Sequence, residues 1–115
     1  MDTSHEIREE LRQPAKDLHE LIPDVMKSYA ALSKASSEAG ELSRLTKELL
    51  ALVIAATREC DGCIIAHARG AFREGATRQQ VAEAIGVLIA LNGGPGTVWG
   101  PRALAAFHEF ADAAE

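Results

Sequence analysis

Alanine is the residue that most limits what this chain can fold into. It occupies 21 of the 115 positions and leucine another 12, whereas the aromatic residues are one tryptophan, one tyrosine and three phenylalanines. Alanine and leucine have high helix propensity. No segment shows the alternation of apolar and polar residues that is typical of a half-buried strand. The sequence therefore predicts an all-α fold.

Helical periodicity divides the chain into about six helices, which we interpret as a single domain over residues 1–115. Proline, glycine and capping residues set the boundaries. The predicted helices are residues 3–20 as two short helices or one kinked at Pro14, Pro23 to the break at Ser36–Gly40, Ser43 to about Arg58, Cys60 to Gly75, Thr77 to the stop at Asn92–Gly96, and about Pro101 to Ala113. The third of these is apolar nearly all round between Leu49 and Ala56, which predicts a central buried helix.

The charge balance excludes several classes of partner. The chain has 12 Lys and Arg against 17 Asp and Glu, a net charge of −5, and no basic stripe, so neither nucleic acid nor an anionic membrane surface is an expected partner. The longest apolar run, Leu49 to Ala56, is far shorter than the roughly 20 residues that cross a bilayer. The first six residues lack the features of a signal peptide, which favours a cytoplasmic location.

The chemically informative segment is the one that carries both cysteines. Cys60, Cys63 and His67 fall within an arc of about 60° on a helix and can meet around one point. The cysteines lie at the start of the predicted fourth helix, where unpaired backbone N–H groups and the helix dipole favour a thiolate. His67 lies four residues beyond Cys63 and can take its proton directly or through one water.

Glu48 is the candidate partner of His67. It lies inside an otherwise apolar stripe of the third helix, with Leu45 and Leu52, where a carboxylate without a partner is costly. If the third and fourth helices form an antiparallel hairpin that turns near residues 58–59, Glu48 lies about 15 Å before the turn and His67 about 10 to 12 Å after it. The hairpin is a structural condition of this mechanism, because Glu48 and Cys60 would be roughly 18 Å apart on one straight helix.

Other interpretations of these residues remain open at this point. Cys60, Cys63 and His67 supply only three local ligands, whereas a structural zinc site needs four, so neither a metal nor a cofactor is predicted. A purely structural disulfide between residues so close in sequence would restrain little of the unfolded chain. His67 alone would be interpreted as a core histidine and Glu48 alone as a surface carboxylate.

The pattern of Glu48, Cys60, Cys63 and His67 resembles the core motif of the alkylhydroperoxidase D-like proteins in the carboxymuconolactone decarboxylase superfamily. The likeness covers about Leu42 to Phe110. Three flanking segments are also similar, namely Lys47 to Leu52, Gly75 to Arg78 and Gly93 to Pro95. The resemblance implies an all-helical fold, a thiol-dependent peroxidase or disulfide-reductase activity, and a homo-oligomer, often a trimer or hexamer.

The resemblance also implies a role for each motif residue. Cys63 would attack the peroxide, Cys60 would resolve the sulfenic acid to a disulfide, and His67 with Glu48 would relay the proton. A dithiol donor of the lipoyl or thioredoxin type would restore the thiols. Peroxidase members commonly have a histidine just before the second cysteine, whereas this chain has Gly62. In other CxxC oxidoreductases the first cysteine is the exposed nucleophile, so the order of attack stays open.

Three functional hypotheses follow from the sequence. The first is a dithiol oxidoreductase that reduces hydroperoxides through a Cys63 sulfenate and a Cys60–Cys63 disulfide. The second is a lyase or hydrolase of the decarboxylase branch, with Glu48 and His67 as acid and base. The third is a non-enzymatic helical oligomer in which the cysteine pair senses redox state.

Overall fold

The computed structural model describes residues 3–114, and this part of the chain contains six α-helices and no strand. The helices are α1 (Ser4–Leu21), α2 (Pro23–Ser37), α3 (Arg44–Thr57), α4 (Asp61–Arg73), α5 (Arg78–Asn92) and α6 (Gly96–Ala113). The predicted all-α class and the number of helices are confirmed. None of these helices is both long and apolar enough to span a lipid bilayer.

Local capping interactions explain where the central helices begin and end. The Ser43 hydroxyl accepts a hydrogen bond from the Thr46 N–H and caps α3. Thr77, where the sequence predicts the start of this helix, forms a capping box with Gln80 at the start of α5. Gly93 follows α5 with a φ of 68°, a conformation that favours glycine.

The core lies between α3, α4, α5 and α6. The extensive interhelix contacts are those of α3 with α4 and of α6 with α4 and α5. The buried apolar residues of this core are Leu52, Ala55, Ala56, Ile64, Ala68, Ala71, Val81, Ile85, Leu88, Ala103, Ala106 and Phe107. Alanine supplies half of them, which is how a chain poor in aromatic residues brings four helices close together.

Helix α1 is continuous through Pro14, so of the two predicted alternatives, two short helices or one helix kinked at Pro14, the structure excludes the first. Proline removes one helical hydrogen bond, but Pro14 is exposed and water can reach the carbonyl that it leaves free. The start of α1 is fixed to the last helix, where the buried Ser4 donates its backbone N–H to Glu109 Oε2 at 2.8 Å. The rest of α1, apart from the half-buried Ile7, and nearly all of α2 are exposed.

Helix α6 begins at Gly96, five residues before the predicted start at Pro101. The difference has a tertiary cause, because the first turns of α6 lie directly against α5. A Cβ atom on Gly96 would lie 3.0 Å from Ile89 Cα, and one on Gly100 would lie 2.6 Å from Ile85 Cγ2. These glycines therefore permit close contact between α5 and α6. In the sequence alone, the same segment is typical of a loop.

Helix α3 is less buried than its composition predicts. Leu52 is fully buried, but Leu50 and Ile54 are 47% and 58% exposed. They lie on the face that α2 only partly covers, since α2 makes few contacts with α3. The expectation of a helix buried on all sides is therefore wrong for this chain by itself.

Candidate active site on the α3–α4 hairpin

The α3–α4 hairpin brings the predicted site residues from distant positions in the sequence to one place. The chain reverses at Glu59, which has a φ of 55°, and Cys60 then begins α4 as its N-cap residue. The two helices pack antiparallel, so that Glu48 of α3 lies beside His67 of α4. The antiparallel hairpin on which the predicted mechanism depends is therefore present.

Glu48 and His67 are in direct hydrogen-bonding contact. Glu48 Oε2 lies 2.9 Å from His67 Nδ1 across 19 residues of sequence. The side chains are 19% and 36% exposed, respectively, so the pair is only partly accessible to water. A carboxylate only accepts hydrogen bonds, so Nδ1 is the donor and, in the neutral ring, Nε2 is left free to accept a proton.

Gly70 provides the space in which the Glu48 carboxylate lies. A Cβ atom at residue 70 would be 2.5 Å from Glu48 Cδ and 2.8 Å from Oε1, distances that real side chains do not tolerate. Our sequence analysis did not identify Gly70 as part of the site. The available signal was a glycine inside a helix one turn after His67, where glycine is unfavourable unless packing requires it.

Cys60 and Cys63 are joined by a disulfide bond, with their Cα atoms 5.3 Å apart. Cys60 Sγ also accepts a hydrogen bond of 3.2 Å from the Cys63 backbone N–H, as an N-cap side chain does. Cys63 is exposed, whereas Cys60 is half-buried. The sulfur atoms therefore lie at the start of α4, where backbone N–H groups favour negative charge.

Cys63 and His67 lie one helical turn apart on α4. Side chains four residues apart on a helix are neighbours, with Cβ atoms about 5 to 6 Å from each other. The fold thus places all four sequence-predicted residues on one hairpin. Their catalytic roles stay predictions.

An ion pair that our sequence analysis missed adjoins the cysteines. Arg102 of α6 contacts both carboxylate oxygens of Asp61, with 3.1 Å from Nε to Oδ1 and 3.4 Å from Nη2 to Oδ2. The Arg102 guanidinium also lies 4.7 Å from the centre of the Trp99 ring. No local pattern could reveal this contact, because 41 residues separate the two partners.

Two clefts flank the site. One, of about 600 Å³, reaches Glu48 and His67 and is lined otherwise mainly by residues of α2 and α3. Its apolar lining residues are Tyr29, Leu32, Leu42, Leu50, Ala51 and Ile54. The other, of about 550 Å³, lies between α1 and α4 and reaches Gly62, where an added Cβ atom would meet only Leu11 Cδ1, at 3.9 Å.

Positive charge is concentrated on the α1 side of α4. The pKa of Arg69 is lowered from its usual value, chiefly by the nearby Arg73 guanidinium, then by desolvation and by Arg8.

Within residues 3–114, no group of three or more His, Cys, Asp or Glu side chains is arranged to hold a metal ion.

Comparison with known proteins identifies relatives that are themselves largely uncharacterised. An uncharacterised protein of Cupriavidus necator is 38% identical over 85 residues, which are 74% of this chain and 75% of that protein. Uncharacterised protein 4 of the cox locus of Paracoccus denitrificans is 39% identical over 82 residues, 71% of this chain and 74% of that protein.

Solved structures share most of the fold. A carboxymuconolactone decarboxylase family protein of Legionella pneumophila has a TM-score of 0.89 and 30% identity, over 93% of this chain and 96% of its own. A family protein of Thermotoga maritima, for which involvement in an antioxidative response has been suggested, has a TM-score of 0.71 and 28% identity, over 77% of this chain and 92% of its own. The sequence model of the carboxymuconolactone decarboxylase family matches residues 23–111. The chain therefore belongs to the carboxymuconolactone decarboxylase family.

Proposed function

We propose that this protein is a thiol-dependent peroxidase, a disulfide oxidoreductase that reduces hydroperoxides with Cys63 and Cys60. The observation that carries the proposal is the 2.9 Å contact between Glu48 and His67 on the same hairpin as the cysteine pair. A partly buried carboxylate can orient an imidazole, and an imidazole one helical turn from a thiol can take its proton. This is an arrangement that activates a sulfur nucleophile. The antioxidative role suggested for the Thermotoga maritima relative supports the same chemistry.

The first chemical step oxidises one sulfur. In the dithiol form, His67 Nε2 takes the proton of the Cys63 thiol, and the thiolate attacks the outer oxygen of a hydroperoxide ROOH. The O–O bond breaks, an S–O bond forms, and the proton returns from His67 to the departing RO⁻. The products are a Cys63 sulfenic acid and the alcohol ROH. Glu48 accepts the Nδ1–H of the imidazole, which leaves Nε2 as the base, and stabilises the imidazolium that forms.

The second and third steps restore the enzyme. The Cys60 thiol attacks the Cys63 sulfenic acid, releases water, and forms the Cys60–Cys63 disulfide. A dithiol donor then transfers two electrons and two protons to the disulfide by thiol–disulfide exchange and leaves as its own disulfide. The greater exposure of Cys63 supports its assignment as the attacking sulfur. A cycle of this kind suits a compartment that keeps thiols reduced, and the proposal therefore includes the cytoplasmic location expected from the sequence.

The proposal includes assembly into a homo-oligomer, for which trimers and hexamers are the forms implied by the family resemblance. Large apolar side chains are exposed beside the candidate site, including Tyr29 and Leu32 of α2 at 68% and 67%. Leu50 and Ile54 of α3 extend this surface. Contiguous exposed apolar patches of this kind often mark sites where another protein chain binds.

The decisive experiment is a peroxidase assay of the purified protein with and without Cys63. The wild-type protein is supplied with dihydrolipoamide or reduced thioredoxin, and consumption of tert-butyl hydroperoxide is followed. We expect Cys63→Ser to lose catalytic turnover entirely, because it removes the sulfur that attacks the peroxide and leaves Cys60 without a partner for the disulfide. If Cys63→Ser consumed peroxide at the wild-type rate, the proposal would be wrong.

A further inference from the structure

Asp61 lies between the two cysteines, yet its carboxylate points to another helix. Arg102 of α6 contacts both of its oxygens, at 3.1 and 3.4 Å, in the forked geometry that guanidinium and carboxylate groups favour. The Arg102 and Asp61 side chains are 29% and 39% exposed, so water screens this ion pair less than it would a fully exposed one.

Arg102 is held in this position from its other side. Its guanidinium lies 4.7 Å from the centre of the Trp99 ring, within the range of a cation–π contact. Trp99 in turn packs against the core cluster. The Arg102 guanidinium is therefore already held in place while the disulfide is intact. Little ordering of its side chain is needed when a thiolate forms at the start of α4.

Reduction of the disulfide releases two thiols at the start of α4, where backbone N–H groups and the helix dipole favour a thiolate. A carboxylate one residue from Cys60 disfavours that thiolate by like-charge repulsion. A cation paired with that carboxylate cancels the repulsion. The other charged or titratable side chains that line the clefts beside this turn are His5, Arg8, Glu9, Arg12 and Glu109.

Three of these neighbours, Glu9, Arg12 and Glu109, are already engaged elsewhere. Glu9 pairs with Arg12 at 3.3 Å, and Glu109 accepts the backbone N–H of Ser4. Among the charged side chains near this turn, Arg102 is the one for which the structure describes an ion pair with Asp61.

We propose that Arg102 is a positioning residue that neutralises Asp61 at the start of α4 and thereby sets the redox equilibrium of the Cys60–Cys63 pair. This inference rests on the proposed function and extends it, since it concerns how readily the cysteine pair is oxidised and then reduced again. It does not depend on peroxide as the oxidant, because the equilibrium can be measured with thiols alone.

The quantity to measure is the equilibrium constant for reduction of the pair by glutathione. In this reaction two glutathione thiols donate two electrons and two protons to the Cys60–Cys63 disulfide and leave as oxidised glutathione. Stabilising the thiolate stabilises the reduced protein and makes the disulfide more oxidising. Arg102→Gln restores the repulsion from Asp61, and we expect it to lower the equilibrium constant about three- to tenfold, where tenfold corresponds to about 30 mV.

Variants of Asp61 distinguish this mechanism from a general loss of structure. Asp61→Asn removes the repelling charge while Arg102 stays, so the equilibrium constant should rise about threefold. In the double variant Arg102→Gln with Asp61→Asn, both charges are absent and the constant should return to within about twofold of wild type. The rate of alkylation of the reduced protein by iodoacetamide at pH 7 should follow the same order, since thiolates react and thiols do not.

A matched control is the ion pair between Arg78 and Asp112, at 2.8 Å between α5 and the end of α6. Arg78→Gln removes a comparable cation and should leave the glutathione equilibrium unchanged. Thermal unfolding followed by circular dichroism shows whether each variant folds. If Arg102→Gln fails to fold, Asp61→Asn alone still tests the inference through its opposite shift.

Three results would overturn the inference. One is an equilibrium constant in Arg102→Gln within about twofold of wild type. Another is a shift in Arg102→Gln that Asp61→Asn does not reverse, because Arg102 would then act independently of Asp61. The last is an Asp61→Asn variant with an unchanged constant. An absence of peroxidase turnover, by contrast, would contradict the proposed function and leave these measurements intact.

Discussion

The carboxylate of Glu48 occupies the space that any side chain at Gly70 would need. A Cβ atom there would lie 2.5 Å from Glu48 Cδ. The same carboxylate holds His67 Nδ1 at 2.9 Å. A side chain at residue 70 would therefore force the Glu48 carboxylate to shift from its position beside His67, although residue 70 carries no chemistry of its own.

Gly70→Ala should uncouple stability from activity. A methyl group at residue 70 displaces the Glu48 carboxylate, so we expect peroxidase kcat/KM to fall at least tenfold. In an ordinary helix interior, glycine to alanine stabilises by about 0.5 to 1 kcal/mol, and here the steric conflict should cancel that gain. Steady-state kinetics and urea unfolding measure the two quantities.

The control for this variant is Gly86→Ala in α5. Gly86 is exposed inside a helix, and nothing lies within 4 Å of the position that its Cβ would take. It should gain the ordinary stability of about 0.5 to 1 kcal/mol and keep full activity. Wild-type kinetics in Gly70→Ala would show that Glu48 need not occupy this position for the reaction.

Substitutions in the Glu48–His67 pair should act mainly on the rate of peroxide attack. His67→Ala removes the general base, and we expect kcat/KM for the hydroperoxide to fall by about 10² to 10⁴. Glu48→Gln keeps the size and an accepting oxygen but loses the charge, so a smaller loss of about 10- to 100-fold is expected. Stopped-flow consumption of peroxide by the reduced protein measures this step without the reductant.

An exposed histidine outside the site provides the comparison. His19 lies on α1 and is exposed, so His19→Ala should react like the wild-type protein. A His67→Ala protein that retained more than half of the wild-type rate would remove His67 from the mechanism.

The two cysteines should give different oxidation products when each is left alone. In Cys60→Ser, peroxide should convert Cys63 to a sulfenic acid that persists, because no resolving thiol remains nearby. Dimedone followed by mass spectrometry would locate the adduct at Cys63. In Cys63→Ser we expect no adduct at Cys60, which is half-buried. An adduct at Cys60 in that variant would reverse the assignment of the two sulfurs.

Much of this site could be predicted because its determinants are local or periodic. The Ser43 cap and the Thr77 capping box fix the starts of α3 and α5 through contacts three residues apart. The hairpin places Glu48 beside His67 through the constant rise of the helix, which can be calculated from residue numbers alone.

The features that escaped prediction depend on contacts between distant segments. Arg102 reaches Asp61 across 41 residues, and nothing in the sequence near either residue indicates the pairing. The early start of α6 depends on the fit of Gly96 and Gly100 against α5. The periodicity of α3 predicted burial of Leu50 and Ile54, but it cannot specify whether the same chain or another copy covers them.

The exposed residues of α3 give the last prediction, which concerns assembly. Ile54 is 58% exposed beside the candidate site, and we expect a second copy of the chain to cover it in solution. Wild-type protein should then have a native mass several times the 12.3 kDa of one chain, and Ile54→Glu should shift it toward the monomer, because an unpaired carboxylate in an apolar interface costs several kcal/mol. Light scattering after size-exclusion chromatography measures the mass, and Ala82→Glu, at an exposed position of α5, adds the same charge as a control. A wild-type protein that is monomeric at micromolar concentration would contradict the prediction, since the apolar surface around Ile54 would then be free of any copy of the chain.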